Sequence, residues 1–61
     1  MNIAVTVNYR MPAERASETF REITKLDDAN PAVLVMVQQD TYYTRRTIRI
    51  PWDRIESVVT R

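Results

Sequence analysis

The chain has 61 residues, 44% of them hydrophobic and 28% charged, with a formal net charge of +1 and no cysteine, histidine or glycine. A domain of this size buries only about 60% of the surface of its unfolded chain, and here neither disulfides nor zinc can add stability. Good packing or self-association must therefore supply it. The same absences exclude Cys/His and Ser/His nucleophilic chemistry and the glycine-rich loops that cradle phosphates.

The opening "NIAVTVNYR" alternates, with Ile3, Val5, Val7 and Tyr9 on one side and polar or small residues on the other, which predicts a half-buried strand over 2–10. Pro12 and Glu14 then suit the first turn of a helix. Ala16, Phe20 and Ile23 follow at i, i+4 and i+7, flanked by Ala13 and Leu26, with the pairs Glu18/Arg21 and Glu22/Lys25 on the opposite face. That spacing predicts an amphipathic helix over 12–27, stopped before Pro31.

"AVLVMVQQ" is apolar on both faces, Val33, Val35 and Val37 on one and Ala32, Leu34 and Met36 on the other, and reads as a central strand over 32–39. A polar turn at Asp40 and Thr41 leads into "TYYTRRTIRIPW", where a strand over 42–50 sets Tyr42, Thr44, Arg46, Ile48 and Ile50 against Tyr43, Arg45, Thr47 and Arg49. The second of these faces is polar throughout and basic. Residues 54–60 fit either a short helix, from the Asp53/Glu56 capping pattern, or an edge strand, which the β-branched "SVVT" favours. The expected fold is a single α+β domain, β-α-β-β with a possible fourth strand, in which one helix covers one face of a small mixed sheet and the first two strands run parallel through a right-handed crossover.

The segment "VTVNYRMPAERASETFREI" resembles the opening of ribbon-helix-helix repressors, where a short strand meets a helix that begins at a proline. The dimer-forming second helix of that family is replaced here by "PAVLVMVQQ", so the resemblance does not carry the fold.

Four acids are candidates for catalysis, the adjacent Asp27 and Asp28 and the nearby Asp53 and Glu56, but helix termination and capping explain them without a pocket. No enzyme activity, cofactor or metal is expected. Charge divides along the chain: residues 1–40 carry four cations against six anions, net −2, and residues 41–61 carry five against two, net +3. Such asymmetry bears on partners and encounter rates.

Tyr43, Arg45, Arg46, Arg49 and Trp52 form the candidate partner-binding set, because tyrosine, tryptophan and arginine dominate interface hot spots and the basic third of the chain would attract an acidic protein surface. Trp52 has a competing place in the core. The valines Val33, Val35 and Val37, left uncovered by a single helix, are the candidate homo-oligomer interface, with barrel-like closure by the last strand as the alternative. The expected function is a non-enzymatic interaction module, a homo-oligomeric adaptor or inhibitor of a protein partner, and its single-module character suits an accessory protein of a phage or other mobile element. Arginines beside tyrosine would also serve single-stranded nucleic acid, and an arginine-lined subunit interface would serve small anionic ligands. No segment approaches the ~20 apolar residues of a membrane span and the N-terminus does not read as a signal peptide, so a cytoplasmic protein without membrane contact is expected.

Overall fold

The computed structural model describes residues 2–39 and 44–61, and these form an all-β domain: β1 (Ile3–Tyr9), β2 (Ser17–Asp27), β3 (Val33–Gln39), β4 (Arg45–Pro51), a one-turn 3-10 helix (Trp52–Arg54) and β5 (Ile55–Thr60). All strand pairs are antiparallel, in the order β4-β3-β2-β1-β5. The expected α+β architecture is therefore wrong. Residues 12–27 hold no helix, and no parallel crossover joins β1 to β3, since β2 lies between them.

The register explains how a strand came to look helical. Between the pairs Ile3↔Ile23 and Val5↔Phe20, β1 advances two residues while β2 advances three. Between Ile23↔Gln38 and Lys25↔Val37, β2 again has one residue too many. Each bulge shifts the next inward side chain by one position, so Phe20 and Ile23, both buried, and Leu26, half-buried, stand three apart rather than two. The supposed ion pairs of the helix face are absent as well: Glu18 meets Arg15 at 3.6 Å and accepts the Tyr9 hydroxyl at 3.0 Å.

β2 pairs with β1 through its first half and with β3 through its second, so the sheet turns a corner along it. Glu22, at that corner, has φ 57°, a left-handed conformation that ordinarily favours glycine. Its carboxylate accepts a hydrogen bond from Asn2 Nδ2 at 2.6 Å.

The connection from β4 to β5 requires the whole sheet to curl. These two strands are its opposite edges, which in a flat five-stranded sheet would lie about 19 Å apart at the usual strand spacing. The four steps from Pro51 to Ile55 can span at most about 14 Å. The sheet must roll until its edges approach, and the 3-10 turn closes it into a partly open barrel.

The concave face holds the core: Val5 and Val7 from β1, Phe20 and Ile23 from β2, Leu34 and Met36 from β3, Ile50 from β4 and Ile55 from β5. Coiling does what the expected helix was to do, sheltering one face of β3. The other face, with Val33, Val35 and Val37, lies on the outside and is half-buried.

Candidate functional site

Strand register assembles the outer face of β3 and β4. Residues directly opposite in antiparallel strands share a face, and the pairs Val35↔Arg49, Val37↔Thr47 and Gln39↔Arg45 put the valine row beside two arginines. On the other flank, Lys25 stands opposite Val37 and Asp27 opposite Val35. The result is a narrow apolar stripe between exposed polar borders carrying three cations and one anion. Val33, Val35, Val37, Arg45 and Arg49, expected to serve two separate interfaces, therefore occupy one continuous surface.

Arg46 belongs elsewhere. It lies on the concave side opposite Gln38 and donates from Nε to Gln38 Oε1 at 3.0 Å. The Gln38 amide, in a residue only 8% exposed, in turn donates to the backbone carbonyl of Arg21 at 2.7 Å. Arg21 sits where the β2 register breaks, so Gln38 satisfies a carbonyl near the bulge and links β2 to β4. Arg46 is thus tied to the frame of the fold by one bond while remaining exposed, on the side away from the valines.

Trp52 is half-buried, packs against the core, and donates from its indole nitrogen to the carbonyl of Asn30 at 2.7 Å. Its backbone N–H donates to the carbonyl of Ala32 at 3.2 Å. Both bonds fasten the turn that closes the barrel to the β2–β3 loop. That loop is shaped by side chain to backbone bonds, from Ala29 to Asp27 Oδ1 and from Ala32 and Val33 to Asn30 Oδ1. Trp52 therefore has a structural place, next to the end of β3 where Val33 pairs with Pro51. Tyr43, the remaining member of the expected binding set, and the Asp40/Thr41 turn lie outside the described residues.

A second feature has no counterpart among the sequence-based expectations. A cleft of about 620 Å³ opens between the end of β1 and the end of β4, with Arg10, Arg49 and Arg54 around it, Tyr9, Pro12 and Pro51 in its walls and Glu14 among its lining residues. Pairing of β1 with β5 brings Arg10 to Arg54: the Arg10 N–H donates to the Arg54 carbonyl at 2.9 Å, and Arg10 Nε donates to the Ile55 carbonyl at 3.1 Å. Burial raises the Tyr9 phenol above its usual value of 10.0, and the Glu18 carboxylate, through its hydrogen bond and its charge, adds to the effect while Arg15 opposes it. Nothing in the linear sequence marks Arg10 or Arg54, since only the β1–β5 register joins them.

Among the described residues no helix is long and apolar enough to cross a membrane. No protein-family model matches the chain, nor does any curated protein or any solved structure.

Proposed function

We propose that the protein is a non-enzymatic interaction module that docks an acidic protein through the outer face of β3 and β4. The observation that carries this reading is the apolar row Val33, Val35 and Val37 set between Arg45 and Arg49 on one side and Lys25 and Asp27 on the other. Burying such a stripe supplies the apolar part of an interface, and the bordering cations select and steer a negatively charged partner.

Charge also separates an acidic partner from a second copy. A second copy would bring the same excess of cations, three against one acid, to this face, and like net charges across an interface oppose association. On its own the chain is monomeric in this reading. Nucleic acid fits the face less well, because among the described residues the aromatics Phe20, Tyr9 and Trp52 lie in or against the core and not beside the valines. An adaptor or inhibitor needs no catalytic group, and the chain has neither histidine nor cysteine to supply one.

The test compares wild type with Val35→Asp and with the double substitution Arg45→Gln/Arg49→Gln. Surface substitutions on an exposed strand alter stability by about 0.5 kcal/mol per site or less, so the glutamine variant stays folded. An acidic protein captured by wild type and released by both variants supports the reading, provided the purified partner then titrates with the same ranking. Capture that both variants retain, or oligonucleotide binding by wild type lost in the glutamine variant, would overturn it.

A further inference from the structure

The arginine cleft at the other side of β4 is left without a role by the docking face, which shares only Arg49 with it. We propose that this cleft is a binding site for the terminal phosphate of a small phosphomonoester. Three arginines line it, and among the described residues none of Arg10, Arg49 and Arg54 forms an ion pair, the one ion pair found among those residues being Arg15 with Glu18. Gathering three cations around one cavity is unfavourable unless an anion enters, and the cavity's 620 Å³ falls in the range of small-molecule sites.

The site is also partly organised before any ligand arrives. Arg10 is held at two points, its N–H on the Arg54 carbonyl and its Nε on the Ile55 carbonyl. Its terminal nitrogens remain as donors from a fixed base, and the two bonds tie the chain positions of Arg10 and Arg54 together. A guanidinium restrained in this way loses less freedom on binding than a free surface arginine would.

Charge and shape select the ligand class. Three arginines and Glu14 give the cleft a net charge of +2, matched by a phosphomonoester, which carries about −1.5 to −2 at neutral pH on three acceptor oxygens. A carboxylate carries one charge and engages one guanidinium fork. A phosphodiester chain carries one charge per unit along a line, whereas these three arginines line a single cleft. Tyr9, Pro12 and Pro51 provide apolar wall for the organic part of the ligand.

The experiment titrates the whole chain, at constant ionic strength, with phenyl phosphate, benzoate and a short oligothymidylate lacking terminal phosphates, following backbone amide shifts by NMR. Phenyl phosphate is expected to bind one to one and about tenfold or more tighter than either competitor, the scale of one charge-assisted hydrogen bond. Its shifts should centre on residues 9–14 and 49–54. Arg54→Gln should weaken it about tenfold, with Arg61→Gln, a change outside the cleft, leaving it unaltered. Phenyl phosphate no tighter than benzoate, shifts centred elsewhere in the wild type, or an equal loss in the Arg61→Gln variant would each overturn the site. Because Arg10 and Arg54 lie off the valine stripe and Arg49 alone is shared, the Arg54→Gln variant tests the cleft while leaving the docking face untouched.

Discussion

Replacing Glu22 distinguishes a bulged strand from a helix by the order in which substitutions destabilise. Glu22 has φ 57°, and a left-handed backbone costs a non-glycine residue roughly 1–2 kcal/mol. Glu22→Gly removes that cost. It loses the exposed Asn2 hydrogen bond, on the order of 0.5 kcal/mol, and adds about 0.5–1 kcal/mol of unfolded-state freedom. These terms nearly cancel, so Glu22→Gly should fall within about 0.5 kcal/mol of wild type. Glu22→Val puts a β-branched side chain into the same conformation and should lie about 2 kcal/mol below the glycine variant. A helix reverses the order, because mid-helix glycine is worse than valine by a few tenths of a kcal/mol. Urea denaturation reads the difference: with a slope of about 1 kcal/mol/M for so small a domain, the glycine variant's midpoint should exceed the valine variant's by about 2 M. A glycine variant less stable than the valine variant would refute the bulged strand.

Truncating Trp52 should loosen the closing turn: Trp52→Ala is expected to lose about 2–3 kcal/mol, below the range for a fully buried tryptophan, and Trp52→Phe about 1 kcal/mol for the bond to Asn30, both measured by denaturation. Gln38→Leu leaves the Arg21 carbonyl without its side-chain donor and should cost about 1–3 kcal/mol, with amide exchange quickening near the β2 bulge. The Tyr9 phenol is raised in the folded state, so its contribution is complete below pH 10 and disappears as pH climbs through the folded value. Tyr9→Phe should therefore lose less stability than wild type between pH 10 and higher pH, as followed by denaturation at each pH.

The chain announces some of its strands and conceals one. Ile3, Val5, Val7 and Tyr9 alternate and Val33–Gln39 begins apolar on both faces, so β1 and β3 are legible from residue order alone. β2 is concealed because bulges are counted in residues that only the neighbouring strands reveal. Phe20, Ile23 and Leu26 at intervals of three imitate a helical stripe, and the corner that would betray a bend is held by Glu22 where glycine would have flagged it. The site divides in the same way. Alternation alone separates Arg45, Thr47 and Arg49 from Arg46, Ile48 and Ile50, but it takes the β3–β4 register to set the arginines beside the valines. Arg10 and Arg54, far apart in the sequence, meet only through the pairing of β1 with β5.

Site-specific photo-crosslinking in the source cells tests the docking face most directly. p-Benzoylphenylalanine in place of Thr47 stands between Arg45 and Arg49 on the outer face, and the same residue in place of Val59 stands on exposed surface of β5, the strand at the other end of the pairing order. An acidic protein joined to the chain from position 47 and absent from position 59, with the link abolished by Arg45→Gln/Arg49→Gln, is the predicted result. Crosslinks from position 47 only to a second copy of the chain, or the same protein captured equally from position 59, would contradict it.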